Sequence, residues 1–122
     1  MSSNKRILVV DDEKMNIMAL AHFLKPQYDI IVATNGTYAL EAAAKHIPDM
    51  ILLDVILPDL SGYEVIASLK NSEATRNIPV IFISGLIDAA DKEKGLSLGA
   101  VDFIPKPLNE HTVKETVKNH LK

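Results

Sequence analysis

The sequence contains no cysteine and no tryptophan among its 122 residues. The lack of cysteine excludes disulfide frameworks, thiol catalysis and zinc ribbons, and it suits a reducing compartment. No apolar run approaches the roughly 18 residues that indicate a membrane span, and the amino-terminal segment MSSNKR is polar. We therefore expect a soluble, cytoplasmic protein without membrane attachment.

Positive charge is dispersed along the chain. The chain has 13 Lys and Arg residues against 16 Asp and Glu residues, and its lysines form no stripe of the kind that binds nucleic acid. We therefore expect no direct nucleic-acid binding. The length predicts a single domain over residues 1–122, large enough to bury a core without disulfides or a structural metal.

Short runs rich in β-branched residues alternate with helical patterns along the chain. The runs indicate strands buried on both faces, and they lie at residues 7–10, 29–33, 50–53, 80–83 and 101–104. Helical spacing between them predicts, for the second helix, an inner face made of Leu40, Ala43, Ala44 and Ile47. Five strand–helix repeats predict an α/β fold in which right-handed βαβ units cover both faces of a parallel sheet.

The fourth helix has the weakest pattern of the five. It is predicted over residues 89–98, where charged residues cluster and apolar anchors are few. Gly95 lies in its middle, at a cost of ~1 kcal/mol relative to alanine. We expect this helix to be short, frayed or mobile.

Carboxylates follow two of the predicted strands directly. Asp11 and Asp12 come after the first strand, and Asp54 comes after the third. Taken singly, Asp54 is explained as a turn residue before Pro58, and Asp11 as the N-cap of the first helix. In open parallel sheets, however, ligands bind beyond the carboxyl ends of the strands. We therefore predict that the three aspartates border one crevice.

Two further strand ends supply a hydroxyl and an ammonium group. Ser84 follows the fourth strand and Lys106 follows the fifth, although Lys106 alone is equally explained as a solvated lysine in a proline turn. Three clustered carboxylates repel one another, which favours a hard divalent cation, with Mg²⁺ expected. Once the metal screens it, one carboxylate can attack phosphorus and form an aspartyl phosphate, while Lys106 balances the phosphoryl charge.

The strand-end residues occur in a fixed order with turn residues between them: Asp11, Asp12, Asp54, Pro58, Gly62, Ser84, Lys106 and Pro107. This set resembles the response-regulator receiver domain of two-component signalling, and the resemblance covers residues 5–121. It implies a flavodoxin-like, doubly wound sheet of strand order 2-1-3-4-5 flanked by five helices. It also implies a phosphoacceptor switch that assists its own phosphotransfer, rather than an enzyme.

The resemblance implies a magnesium site at the first and third strand ends. Asp12 is a direct ligand by this resemblance, and Asp11 is a ligand or a water-mediated partner. Asp54 is both a ligand and the phosphoacceptor. The backbone carbonyl of Ile56 is the remaining implied ligand.

The resemblance further implies how the phosphoryl group is bound and sensed. Ser84 hydrogen-bonds the group and Lys106 pairs with it. Ser84 and Phe103 are the implied switch residues. Many receivers have tyrosine where this chain has Phe103, so ring packing alone can report the state. The Lys106–Pro107 peptide bond is expected to be cis.

The implied partners are a histidine kinase or histidine phosphotransfer protein, and an output domain or downstream protein. A homodimer through the fourth helix, fifth strand and fifth helix is a further arrangement compatible with the resemblance. A free-standing receiver and one excised from a longer protein, for example beside a cyclic-di-GMP enzyme domain, both remain open.

Two other classes of function compete with the receiver. An aspartate-nucleophile phosphatase of the haloacid-dehalogenase kind needs a second aspartate two residues after the nucleophile, where this chain has Ile56. A flavodoxin-like electron carrier needs a phosphate loop for FMN, and the chain lacks one. The four histidines show no metal-ligand spacing: His22, His46, His111 and His120.

Aliphatic residues stand two positions beyond the phosphoacceptor and beyond the switch serine. Ile56 follows Asp54 at that distance, and Leu86 follows Ser84. In receivers these positions flank the path of the attacking water, which aliphatic side chains cannot orient by hydrogen bonding. We therefore predict a long-lived aspartyl phosphate.

Overall fold

Within the residues that the structure describes, five strands and five helices alternate along the chain. The structure is a computed structural model that describes residues 4–85 and 88–121. Its elements are β1 (Arg6–Val10), α1 (Lys14–Leu24), β2 (Asp29–Ala33), α2 (Gly36–His46), β3 (Met50–Asp54), α3 (Gly62–Lys70), β4 (Val80–Ser84), α4 (Ala89–Ser97), β5 (Asp102–Pro105) and α5 (Glu110–His120). The strands form one parallel sheet in the order β2-β1-β3-β4-β5, which confirms the predicted doubly wound α/β fold.

The core lies on both faces of this sheet. Successive side chains of a strand point to opposite faces, so strands covered on both sides are apolar along their length. Leu8 and Val10 of β1 pack into the cluster beneath α2 and α3, whereas Ile7 and Val9 pack into the cluster beneath α1 and α5. Strands β3 and β4 are buried at every residue.

The inner face of α2 differs from the prediction. The buried residues of this helix are small: Gly36, Ala39, Ala42 and Ala43. Ala44 is exposed, and Ile47 is 45% exposed because it lies past the last helical turn, at the C-cap, with a left-handed φ of 43°. Ala43 is buried and Leu40 packs against the same core cluster, so the prediction is correct for these two residues and wrong for Ala44 and Ile47. Small alanines let the helix lie close to the sheet, so the buried face also includes Ala39 and Ala42.

Helix α4 is a continuous helix of nine residues, and Asp88 caps its start by accepting a hydrogen bond from Asp91 N at 2.9 Å. Gly95 is buried against the half-buried ring of Phe103. A Cβ atom at residue 95 would lie 2.6 Å from Phe103 Cζ, closer than van der Waals contact allows. The glycine is therefore explained by the close approach of this ring, which the sequence analysis did not anticipate.

Two local predictions near the carboxyl terminus are confirmed. The side chain of Asn109 caps α5 by accepting a hydrogen bond from Thr112 N at 3.1 Å. The Lys106–Pro107 bond is cis, as is Lys25–Pro26. Within the described ranges, no helix has both the length and the apolar character needed to cross a bilayer.

Candidate metal and phosphoryl site

The carboxyl ends of four strands meet at one edge of the sheet. Asp11 follows β1, Asp54 ends β3, Ser84 ends β4, and Lys106 follows β5. Lys106 N donates to Ser84 O at 3.0 Å, which fixes the last two strand ends side by side. They border a cavity of about 530 Å³ lined by Asp12, Glu13, Asp54, Ile56, Ser84, Gly85 and Lys106.

Three carboxylates converge at this cavity. Asp11, Asp12 and Asp54 each offer an oxygen within 4.8 Å of the other two; Asp11 and Asp54 are buried, whereas Asp12 is exposed. The Oδ2 atom of Asp11 is buried and accepts no hydrogen bond from the part of the chain that the structure describes. Burial, together with the nearby Asp54 charge, raises the pKa of Asp11. A hard divalent cation would satisfy this oxygen, so the residues present fit Mg²⁺.

Asp11 also serves the start of α1. Its Oδ1 atom accepts a hydrogen bond from Glu13 N at 2.9 Å, while Glu13, the N-cap residue of the helix, makes no side-chain cap bond. Asp11 is therefore not the N-cap of α1, because it lies two residues before that position and binds the N–H group of the N-cap residue itself. The other oxygen lies 3.6 Å from Lys106 Nζ, on the cavity side.

Lys106 joins the acidic residues from β5. Its Nζ atom donates to Asp54 Oδ2 at 2.9 Å and lies 3.8 Å from Glu13 Oε1. Burial opposes the charge of this lysine, but the hydrogen bond and the charge of Asp54, with smaller contributions from the other carboxylates, raise the pKa of Lys106. The lysine is thus bound within the site and is not a solvated turn residue.

The loop after β3 is held tightly against the site. Ile56 N donates to Asp54 Oδ1 at 3.2 Å, and Gly62 N donates to Val55 O at 2.7 Å. A Cβ atom at residue 62 would lie 2.4 Å from Asp54 O, so only glycine permits this approach. The side chain of Ile56 is 63% exposed.

The two predicted switch residues lie on neighbouring strands. Ser84 is buried at the end of β4. Phe103 of β5 is half-buried, and its ring stacks on Phe82 with 5.9 Å between centroids. Tyr63 of α3 meets the other side of this cluster, 5.5 Å from Phe82. Leu86, named in the prediction of phosphoryl lifetime, lies outside the described residues.

Sequence reasoning missed two acidic residues of this region. Glu13 reaches Lys106, and its position next to Asp12 was an available signal. Asp59 lies in the loop between β3 and α3 and binds the start of α2, more than twenty residues earlier in the chain. No pattern in the sequence around Asp59 predicts such a contact.

A doubly wound sheet with three carboxylates, a hydroxyl and a lysine at its strand ends defines a receiver-type domain. The family model for the response regulator receiver domain matches residues 7–118. The chain belongs to this family.

Known proteins of the family resemble the chain over nearly all its length. A probable cyclic di-GMP phosphodiesterase of Vibrio cholerae is 42% identical over 115 residues, which are 94% of this chain and 26% of that protein. The chain thus spans about a quarter of this relative. The chemotaxis response regulator CheY4 of Vibrio cholerae superposes with a TM-score of 0.92 at 26% identity, covering 98% of this chain and 100% of CheY4.

A further solved structure carries a metal. It is the receiver domain of the sensor histidine kinase PA1611 from Pseudomonas aeruginosa, with a magnesium ion coordinated in its active-site cleft. It has a TM-score of 0.89 and 25% identity to this chain, and the match covers 98% of both chains.

Proposed function

We propose that the domain accepts a phosphoryl group on Asp54 in a Mg²⁺-dependent reaction and thereby switches an output domain or partner protein. The donor is a histidine kinase or a histidine phosphotransfer protein. The observation that carries the proposal is the buried, unsatisfied Asp11 Oδ2 beside the Asp54–Lys106 pair. Membership of the receiver family leaves no support for the phosphatase alternative.

Four groups of this chain would hold the ion: the carboxylates of Asp11, Asp12 and Asp54 and the backbone carbonyl of Ile56. Clustering of the three carboxylates and the magnesium bound by the PA1611 receiver support this set. When bound, Mg²⁺ neutralises negative charge that would otherwise repel an incoming phosphoryl group. Asp12, the exposed member, is accessible to an ion that arrives from solvent.

The reacting atom is a carboxylate oxygen of Asp54. In the transfer, this oxygen forms a bond to phosphorus while the phosphorus–nitrogen bond of the donor phosphohistidine breaks, and the leaving imidazole keeps the electron pair and takes up a proton. Lys106 already lies 2.9 Å from Asp54 Oδ2, so it can pair with the phosphoryl oxygens after a small movement. Ser84 supplies a hydroxyl from the adjacent strand end. These residues therefore assist a transfer for which the donor supplies the energy.

Signal output would follow from Ser84 and Phe103. The ring of Phe103 lies against Gly95, so a change at the β4 and β5 ends reaches α4 directly. A cavity of about 350 Å³ lies on this face, which would bind the output partner or a second copy; it is lined by Lys92, Leu96, Val101, Asp102, Phe103 and Pro105. We expect beryllofluoride, a phosphoryl mimic, to alter hydrogen exchange over residues 88–106 more than in α1 and α2.

Intact-mass spectrometry after incubation with acetyl phosphate and Mg²⁺ tests the phosphoacceptor. The wild type should gain one phosphoryl group, and Asp54→Asn should gain none. Asp29→Asn is a matched control, because it removes an exposed carboxylate at the opposite edge of the sheet, and it should react as the wild type does. An adduct of equal yield in Asp54→Asn would place the nucleophile elsewhere.

A further inference from the structure

One carboxylate outside the strand ends links the metal-site loop to a neighbouring helix. Asp59 lies in the loop of residues 55–61, between β3 and α3, and its two oxygens accept four hydrogen bonds. Asp59 Oδ1 accepts from Gly36 N at 2.7 Å and from Leu60 N at 2.8 Å. Asp59 Oδ2 accepts from Thr37 N at 2.9 Å and from Thr37 Oγ1 at 2.7 Å. We call this arrangement the Asp59 clamp.

The clamp completes the amino terminus of α2. A helix begins with N–H groups that have no partner within the helix, and these favour an anionic acceptor. The side chain of Asn35, the N-cap, accepts a hydrogen bond from Tyr38 N at 2.8 Å. Asp59 satisfies the two preceding N–H groups, those of Gly36 and Thr37. The hydrogen bond from the Thr37 hydroxyl, followed by those from the two N–H groups, holds the pKa of Asp59 well below its usual range. Asp59 therefore remains an acceptor throughout the neutral and mildly acidic range.

The clamp also fixes the outer part of the loop. At the inner end, two hydrogen bonds hold the backbone: Gly62 N donates to Val55 O, and Ile56 N donates to Asp54 Oδ1. At the outer end Ile56, Pro58 and Asp59 are exposed, whereas Leu57 between them is half-buried and packs against the core cluster beneath α2 and α3. Leu60 adds a second contact, since its side chain packs directly over Gly36. The loop is thus tied to α2 at two adjacent residues, only three positions after Ile56.

We propose that Asp59 is a positioning residue for the metal site: by tying the loop to α2, it holds the backbone carbonyl of Ile56 at the cavity edge. This inference rests on the proposed function, in which that carbonyl is a Mg²⁺ ligand. Asp59 itself does not line the cavity, and it acts only through the loop backbone.

The first measurement is the Mg²⁺ affinity of the metal-free protein, by titration calorimetry. Asp59→Ala should weaken binding about tenfold, the lower end of the loss seen when groups that orient metal ligands are removed. Glu41→Gln, an exposed charge removal on α2 itself, should bind as the wild type does. Unchanged affinity in Asp59→Ala overturns the proposal. Absence of Mg²⁺ binding in the wild type overturns the proposed metal site instead.

Amide hydrogen exchange without metal separates positioning from simple helix capping. Loss of the Asp59 hydrogen bonds alone should speed exchange only at their donors, Gly36, Thr37 and Leu60, and that result overturns the proposal. Positioning requires faster exchange at Ile56 as well. If Asp59→Ala does not fold, both measurements apply to Asp59→Asn, which keeps the side-chain size and one acceptor oxygen. This variant should shift both quantities in the same directions by a smaller amount.

Discussion

Lys106 Nζ and Asp54 Oδ2 lie 2.9 Å apart, although 52 residues separate them in the chain. Their strands are not neighbours, because β4 lies between β3 and β5. The pair spans β4 at the carboxyl edge of the sheet, where Lys106 also approaches Asp11 and Glu13. The ammonium group of Lys106 therefore pairs with carboxylates that a divalent cation would also bind.

Competition between the two cations predicts the effect of removing the lysine. Lys106→Met should bind Mg²⁺ more tightly than the wild type, because the positive charge that repels the ion and occupies Asp54 is gone. Titration of the metal-free proteins measures the difference. Lys92→Met, an exposed change on α4, is the control and should show no change. Weaker binding in Lys106→Met would contradict this explanation.

Asp11 is predicted to reduce the stability of the metal-free protein. Its raised pKa means that the fold disfavours the ionised form, so the unfavourable contribution of Asp11 should shrink as the pH falls from neutral toward the ordinary value of 3.8. Asp11→Asn removes the charge and should raise the free energy of unfolding at neutral pH by about 1 kcal/mol. Urea unfolding measures this. Asp12→Asn, at an exposed position, should change stability little, whereas both variants should bind Mg²⁺ less tightly.

Asp59 should show the opposite dependence on pH. Its pKa is lowered in the folded state, first of all by the hydrogen bond from the Thr37 hydroxyl, so its contribution to stability is present above the ordinary value of 3.8 and is lost as the pH falls below it. The wild type should therefore be more stable than Asp59→Asn at neutral pH, and the difference should narrow in acid. Urea unfolding at several pH values tests this. A gap that widens in acid would contradict the assignment.

Gly95 is predicted to be required by the ring of Phe103. Alanine is the better helix former by ~1 kcal/mol, but overpacking costs about 1–3 kcal/mol, so Gly95→Ala should lose roughly 1 kcal/mol of stability. Phe103→Leu removes the two nearest ring atoms, Cζ and Cε2, and leaves Phe82 Cδ2 at 3.1 Å, so the loss caused by Gly95→Ala should become smaller in that background. A thermodynamic cycle from denaturant unfolding measures the coupling. Equal losses in both backgrounds would show that the ring is not the cause.

The lifetime of the aspartyl phosphate depends on Ile56 in our prediction. Its exposed aliphatic side chain lies at the cavity and cannot orient a water molecule for attack on phosphorus. Ile56→Asn combined with Leu86→Glu should therefore shorten the lifetime, followed by mass spectrometry after removal of the donor. Val32→Asn with Ile47→Glu, two exposed residues away from both the site and the α4–β5 cavity, provides the control. If the first pair decays no faster than the wild type, these side chains do not control the water.

The sequence was sufficient to predict the strands and the residues at their ends. Buried strands require continuous apolar runs. The change from Val10 to Asp11, and from Leu53 to Asp54, marks where each apolar run ends at the crevice. Alternation with helices makes the strands parallel, so their carboxyl ends lie at one edge. The convergence of Asp11, Asp54, Ser84 and Lys106 follows from that topology.

The tertiary structure alone decided the contacts between distant segments. Ile47 has the apolarity of a core residue, yet the end of α2 leaves it exposed while small alanines pack on the sheet. Gly95 is unfavourable in an isolated helix and is explained only by a ring on β5. Asp59 is a residue type that is common in turns, and it forms the Asp59 clamp only because α2 begins beside it. Local sequence encodes periodicity and propensity, whereas steric fit and hydrogen-bond partners depend on which segments the fold brings together.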